Sequence, residues 1–259
     1  MPMPPHQHLD RIENTDRDVV AFLANYPGDQ MVEIHSHRRI QLLYVKTGTL
    51  QLETRFGAWV VPPGFAVWIP HDVLHQLRML NATTHNLYFR KKTVAKPLEK
   101  CQVIEVSPLL KELIGAAVAV PPLYDQDARD GQLMKLLLQE AVMQPVVPLH
   151  LPMPRDEQLA RLCQAFFKAP TQASRPADWA RQLHVSERTF YRRFVAGTGI
   201  TFVNWRQQAC VFAAMARLSL GDSVTSVALD MGYESPSSFS TMFRKTTGRP
   251  PNLYIHSQE

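Results

Sequence analysis

The chain has 259 residues, of which 45% are apolar and 20% are charged, so it can bury one large core or two modest ones and is not a disordered chain. No run approaches the roughly 20 apolar residues that span a bilayer, and Met1–Asp10 carries no export signal, which together predict a cytoplasmic protein. The three cysteines, Cys101, Cys163 and Cys210, are an odd number at wide spacings, which excludes a disulfide framework and a paired-cysteine metal site.

The net charge of +5 is unevenly distributed along the chain. Residues 1–154 contain 15 basic and 15 acidic side chains, whereas residues 155–259 contain 13 basic and eight acidic ones, and 11 of those 13 are arginines. Arginine suits contact with phosphates and guanine edges. We therefore expect a first domain at residues 1–100, a helical bridge at 101–144, a proline-rich linker at 145–154 and a basic domain at 155–259.

Short β-type runs follow one another from Met31 to about Phe89, and each ends at a turn signal such as Gly28, Thr47-Gly48 or Asn81. Their even spacing predicts an antiparallel β-barrel or jelly roll within a multidomain α+β chain. The predicted strands are Val32–His35, Ile40–Val45, Leu50–Thr54, Ala58–Val61, Ala66–Ile69, His75–Met79 and His85–Phe89.

A group of polar side chains lies within these strands. His35 and His37 are two residues apart and face the same side of a strand, Gln41 has matching parity, and His75 begins a later strand. Three imidazoles are enough to bind Zn, Ni or Cu. The alternative is that the histidines line a small-molecule cavity and donate hydrogen bonds without a metal.

The pattern His35-x-His37-x3-Gln41-x6-Gly48, followed by Gly57-x4-Pro62-x-Gly64 and His75, resembles the two motifs of a cupin. The resemblance implies a cupin-like jelly roll with a divalent metal or small-molecule effector at His35, His37, Gln41 and His75. The chain departs from the family at Gln41, where cupins that bind metal usually have Glu.

Two amphipathic helices are predicted in the bridge. Ser107 and Pro108 provide an N-cap and a first helical residue ahead of an apolar stripe that reaches Val118, and a second helix fits Asp130–Met143. The sequence leaves open whether these helices pack on the barrel or pair with a second copy of the chain.

An internal repeat distinguishes the last hundred residues. The pattern Ala180-x2-Leu183-x-Val185-Ser186-x3-Phe190-x3-Phe194-x4-Gly199 recurs as Ala228-x2-Met231-x-Tyr233-x-Ser235-x3-Phe239-x3-Phe243-x4-Gly248. Each copy predicts a helix-turn-helix whose second helix is capped by a serine and turns two phenylalanines inward. The outward residues are Arg188, Tyr191 and Arg192 in the first copy and Ser237, Ser240, Thr241 and Arg244 in the second. A long helix over Phe202–Leu220 connects the copies.

The stretch Ala-x2-Met-Gly-Tyr-x-Ser-x3-Phe-Ser-x2-Phe-Arg-x3-Gly-x2-Pro, from Ala228 to Pro251, resembles the DNA-binding domain of the AraC/XylS family of bacterial transcription regulators. The resemblance implies that two recognition helices enter successive major grooves of double-stranded promoter or operator DNA. Thr241 stands where the family commonly has Arg, and Thr makes no bidentate pair with guanine. The implied DNA-binding residues are Ser186, Arg188, Tyr191, Arg192, Pro236, Ser237, Ser240, Thr241 and Arg244.

We therefore predict a sequence-specific transcription regulator, not an enzyme, that acts in the bacterial cytoplasm and responds to a small molecule or metal in its first half. The family further implies a homodimer formed through the bridge helices and contact with RNA polymerase. The alternative is a metal-dependent cupin enzyme fused to a DNA-binding module, for which only Glu33 and Glu53 remain as bases. An architectural DNA-binding protein without an effector is disfavoured because the first 150 residues would have no task.

Overall fold

The structure is a computed structural model that describes residues 12–94 and 98–254. Met1–Asp10, where the sequence shows no export signal, lies outside the described residues. Residues 95–97 of the predicted first domain and 255–259 of the last domain lie outside them as well. Contacts divide the chain into two compact units. The first unit holds the described residues up to Leu52 and from Val61 to Pro148, and the second holds Glu53–Val60 and the described residues from Leu149 onward.

Strands dominate the first part of the chain and helices the second. The strands are β1 (Val19–His35), β2 (Ile40–Thr54), β3 (Gly57–Val61), β4 (Phe65–Ile69), β5 (His75–Phe89), β6 (Gln102–Glu105), β7 (Val146–Val147) and β8 (His150–Pro152). The α-helices are α1 (Pro108–Ala117), α2 (Arg129–Met143), α3 (Glu157–Lys168), α4 (Pro176–Gln182), α5 (Glu187–Thr198), α6 (Phe202–Ser219), α7 (Val224–Asp230) and α8 (Pro236–Thr247). Short 3-10 helices cover Lys91–Thr93 and Pro251–Tyr254.

An antiparallel sheet forms the first unit, as the sequence predicts. Hydrogen-bonded neighbours run in the order β1-β5-β2-β4-β6-β7, and the pairs β1/β5, β2/β4, β4/β6 and β6/β7 are antiparallel. The cupin-like jelly roll stays a prediction. The proline-rich segment 145–154 contains no continuous helix, and its two short strands belong one to each unit, because β7 pairs with β6 whereas β8 pairs with β3.

Three predicted turns lie inside long strands, and Gly28 and Asn81 form a bulge between β1 and β5, so the predicted division into short strands is wrong there. Gly28, Gly48 and Asn81 have left-handed φ values of 72°, 70° and 50° within β1, β2 and β5. The β1/β5 register shifts between Tyr26 and Asp29, and the Gly28 N–H donates to Asn81 Oδ1 over 3.2 Å. A residue with positive φ lets a strand absorb an extra residue and bend without ending, which a sequence pattern does not distinguish from a turn.

Helices α1 and α2 cover one face of this sheet and complete its core. The Ser107 side chain accepts from the Leu110 N–H and Pro108 opens the helix, as predicted. Ile114 and Leu137 pack in one cluster with sheet residues that include Trp68. The bridge helices therefore bury an apolar face against the sheet of their own chain.

The second unit is helical around an aromatic core, with the two predicted helix-turn-helix motifs α4/α5 and α7/α8 on either side of the long helix α6. Trp179 of α4 lies against Phe190 and Phe194 of α5, with ring centroids 6.1 and 6.3 Å away. Trp205 of α6 is fully buried and its indole N–H donates to the Pro152 carbonyl over 2.8 Å. None of the helices in the described part of the chain is long and apolar enough to cross a membrane.

Candidate DNA-binding surface and effector site

Helix α5 is a capped helix with one buried and one exposed face. The Ser186 side chain accepts from the Thr189 N–H, and Gly199, with a φ of 77°, ends the helix. Phe190 and Phe194 are fully buried. The opposite face exposes Arg188, Tyr191 and Arg192, so the predicted arrangement of the first recognition helix is present.

Helix α8 repeats this design with different surface chemistry. Ser235 caps the helix by accepting from the Ser238 N–H, and Pro236 occupies the first turn, where its missing N–H costs no hydrogen bond. Phe239 and Phe243 are fully buried. The outer face carries exposed Ser237, Thr241 and Arg244, with Pro236 and Ser240 half-buried.

The arginines on these two outer faces have no partner in the described parts of the protein. Neither an ion pair nor a hydrogen bond to a described residue ties Arg188, Arg192 or Arg244. Other arginines of the second unit are engaged: Arg193 with Asp156, Arg181 with Asp178, Arg206 with the Ser174 carbonyl, and Arg217 with Asp222 and Asp230. The predicted DNA-binding cations are thus among those that the fold leaves available for an external anion.

In the first unit, the strand ends bring the three predicted histidines together. His35 at the end of β1 is the cross-strand partner of His75 at the start of β5, and His37 follows β1 by two residues. Their ring centroids are 4.3 Å apart for His35 and His75, 5.1 Å for His37 and His75, and 6.2 Å for His35 and His37. His75 is fully buried, His37 is 4% exposed and His35 is half-buried.

The hydrogen bonds of the cluster engage one ring nitrogen of each histidine with a backbone carbonyl. Nδ1 of His35, His37 and His75 lies 2.6–2.8 Å from the backbone carbonyl oxygens of Glu33, Arg39 and Val73, respectively. His75 Nε2 is buried and has no hydrogen-bond partner among the described residues. Burial lowers the pKa of His75 to about 3, so the ring is neutral at pH 7 and presents a lone pair at Nε2.

His37 connects the cluster to a buried amide chain. Its Nε2 lies 3.0 Å from Gln41 Oε1, Gln41 donates to Asn86 Oδ1 over 3.0 Å, and Asn86 donates to Thr84 Oγ1 over 3.1 Å. Burial lowers the pKa of His37, and it outweighs the hydrogen bonds to Arg39 and Gln41, which act in the opposite direction. A neutral His37 has a single N–H, which cannot donate to both the Arg39 carbonyl oxygen and Gln41 Oε1. One of these two contacts therefore lacks a hydrogen.

The residues of this cluster match a metal site only in part. The Nδ1–carbonyl contacts resemble those that orient metal-binding histidines, and Nε2 of His75 has no partner among the described residues. However, the described part of the chain contains no group of three or more His, Cys, Asp or Glu side chains placed so that they could hold a metal ion. Gln41 already contacts His37. Metal binding therefore stays a prediction.

Two features of the first unit escaped the sequence analysis. His85 is 6% exposed, both of its ring nitrogens lack a hydrogen-bond partner among the described residues, and burial lowers its pKa. A cleft of about 200 Å³ lies against α2, and none of the four predicted effector residues lines it. Its lining comes from separate segments of the chain, which no local motif could connect: Asp18, Val19, Thr93, Tyr124, Gln126, Gly131, Met134, Lys135 and Leu138.

Comparison with known proteins agrees with this architecture. Residues 18–188 match the family model described as an AraC-like ligand binding domain, and residues 179–257 match the model of a helix-turn-helix domain. These matches define a transcription regulator with a ligand-binding N-terminal domain and a helix-turn-helix C-terminal domain. The chain belongs to the AraC family of transcription regulators.

One similar protein covers most of the chain. The transcriptional regulator NimR of Escherichia coli is 32% identical over 238 residues, which are 91% of this chain and 87% of that protein. Among solved structures, fatty-acid-bound ToxT of Vibrio cholerae is 12% identical, with 93% and 96% of the two chains covered and a TM-score of 0.39. The C-terminal domain of AraT from Geobacillus stearothermophilus is 26% identical over 38% of this chain and 86% of that one, with a TM-score of 0.35.

Proposed function

We propose that this AraC-family regulator reads its operator mainly through Arg188 and Arg192 of α5. The supporting observation is that both guanidinium groups are exposed and have no partner among the described residues. The opposite face of the helix is held in the core by the buried side chains of Phe190 and Phe194. The two arginines are four residues apart and so project from the same face. Each can form a bidentate pair with guanine O6 and N7.

Helix α8 has a smaller part in base reading under this proposal. Ser237, Ser240 and Thr241 have short hydroxyl side chains, which donate to or accept from several bases and from phosphate without strong discrimination. Arg244 lies near the end of the same face. We infer that α8 contributes affinity and orientation, whereas α5 contributes most of the sequence preference.

In vitro selection from a random duplex library with the full chain tests this assignment. Wild-type protein is expected to enrich one motif, and Arg188→Ala and Arg192→Ala should each cost about 1–3 kcal/mol of discrimination at guanine positions. Arg181→Ala is the control, since Arg181 is also exposed but pairs with Asp178 on α4. A double variant, Arg188→Ala with Arg192→Ala, that enriches the wild-type motif with unchanged affinity would show that α5 is not the reading helix.

For the effector we propose a small molecule that donates a hydrogen bond to His75 Nε2 in the cluster of His35, His37, Gln41 and His75. A buried lone pair without a partner favours an N–H or O–H donor, and it would also accept Zn, Ni or Cu. Elemental mass spectrometry of the purified protein beside His35→Ala/His37→Ala separates the two. Near-stoichiometric metal that is lost in the variant identifies a metal effector, whereas negligible metal in both supports an organic one.

Assembly and location complete the proposal. We infer a homodimer formed through the bridge helices, supported by the exposed apolar side chains of Leu136, Val142 and Met143 on and beside the outer face of α2. Action in the bacterial cytoplasm, contact with RNA polymerase and the absence of a catalytic role are proposed from the family, whose matched relatives are transcription regulators.

A further inference from the structure

The loop between α3 and α4 contacts both helix-turn-helix motifs. We call residues Thr171–Ser174 the clamp loop. Ser174 Oγ accepts from the Trp179 indole N–H of α4 over 2.8 Å, and the Ser174 carbonyl accepts from Arg206 Nη1 of α6 over 2.5 Å. One end of the clamp loop is thus bonded to the first motif and to the helix that connects the motifs.

Gln172 bonds the same loop to the second motif. Its backbone N–H donates to the Met231 carbonyl over 3.2 Å, and its side-chain Nε2 donates to the Tyr233 hydroxyl over 3.0 Å. Met231 and Tyr233 lie in the turn between α7 and α8. Tyr233 packs edge-on against Phe239 of α8, with ring centroids 5.4 Å apart.

Cys210 of α6 also contacts the Gln172 side chain, and burial raises the pKa of its thiol to about 12. A neutral, buried thiol is a weak partner, so the Tyr233 hydroxyl is the stronger acceptor for Gln172. The clamp loop therefore makes a continuous series of contacts from Phe190 of α5, through Trp179, to Tyr233 and Phe239 of α8.

We propose that the clamp loop fixes the spacing and angle between the two recognition helices, with Gln172 as its main positioning residue. The inference rests on the proposed reading of DNA by α5 and α8. Helix α6 sets the distance between its own ends and packs through Phe202 on Trp179 of α4, with ring centroids 4.9 Å apart. The clamp loop adds hydrogen bonds that connect α4 with the turn before α8, so the protein would favour operators whose two contact segments have one spacing.

The test measures spacing preference, which a merely stabilising residue would not change. Full-length wild type, Gln172→Met and Tyr233→Phe are put through selection from a random duplex library, and affinities are then measured for the selected motif and for duplexes with one base pair added to or removed from its spacer. Gln172→Met keeps the length of the side chain and removes the amide, and Tyr233→Phe keeps the ring and removes the hydroxyl. Gln164→Met, at an exposed position of α3, is the control.

Both clamp variants are expected to lose about fivefold of the preference for the selected spacing, the factor that one net hydrogen bond of this kind contributes. The double variant should lose no more than either single one, because both remove the same bond. Thermal unfolding of each variant checks that the fold is intact.

Two outcomes would overturn the clamp. One is an equal loss of affinity for all three spacers in the variants, and the other is an unchanged spacing preference. If wild-type protein enriches no motif at all, the proposed reading of DNA by α5 and α8 is wrong. If wild-type protein enriches a motif and the variants keep the same spacing preference, only the clamp is wrong.

Discussion

A buried neutral imidazole makes the first unit sensitive to acid. The folded protein holds the pKa of His75 at about 3, mainly because of burial, against an ordinary value of 6.5. Between these values the unfolded chain binds a proton that the folded chain does not, so stability falls as the pH drops from 6.5 towards 3. From pH 7 to pH 5, His75 should account for a loss of about 2 kcal/mol.

Denaturant unfolding of wild type and His75→Asn at pH 7 and pH 5 measures this contribution. The variant should lose about 2 kcal/mol less than wild type between the two pH values, whatever its stability at pH 7. His184→Asn is the matched control, because His184 is exposed and its left-handed backbone suits Asn. The same pH dependence in wild type and His75→Asn would mean that His75 is not the group that takes up the proton.

At the scale of the element, the N-terminal ends of helices can be predicted from the sequence, because a cap is a hydrogen bond between residues only three positions apart. Ser107, Ser186 and Ser235 each accept from the N–H three positions later, and each was predicted from its position before an apolar stripe. The ends of the strands do not follow, because Gly28 and Asn81 serve as bulges only where another strand holds them in register. The cleft beside α2 depends on such tertiary contacts throughout.

Gly48 shows how closely β2 and β5 approach each other. A Cβ on Gly48 would overlap the carbonyl oxygens of Leu80 and Asn81, and the φ of 70° disfavours any L side chain. Gly48→Ala is therefore expected to destabilise the first unit by about 2 kcal/mol or more. Chemical denaturation measures the change in the free energy of unfolding.

The same substitution in α1 should have the opposite sign. A Cβ on Gly115 meets nothing within 4 Å, and alanine favours the helix by about 0.5–1 kcal/mol over glycine. A Gly48→Ala protein as stable as Gly115→Ala would contradict the close approach of β2 and β5 at Gly48.

At the scale of the whole molecule, the candidate effector residues are separate from the candidate DNA-binding residues both along the chain and by unit. Sequence reasoning grouped His35 with His37 by their spacing of two residues. His75, on a later strand, was joined to them through the resemblance to a cupin, because the pairing of β1 with β5 is a long-range contact. An effector alters DNA binding only if it has unequal affinity for two arrangements of the protein. No sequence motif encodes that difference, so the direction of regulation does not follow from the residues that bind either ligand.

The distribution of charge determines how DNA binding should respond to salt. Residues 1–154 have as many acidic as basic side chains, so the excess positive charge lies in the second unit. Each phosphate neutralised lowers the logarithm of the affinity by about 0.9 per logarithmic unit of salt. Seven exposed cations there have no partner among the described residues: Arg155, Arg161, Arg175, Arg188, Arg192, Arg244 and Lys245.

We therefore expect these seven cations to give a slope no steeper than about −6 for each bound copy, since each makes at most one phosphate contact and the base-reading arginines reduce the number. Titrations of a selected duplex between 50 and about 200 mM salt measure the slope, and sedimentation of the complex counts the copies. Two copies on one duplex should double the slope while its value per copy stays the same. A steeper slope per copy would mean that further cations contact phosphate, among them arginines now paired with aspartates, such as Arg193 and Arg217.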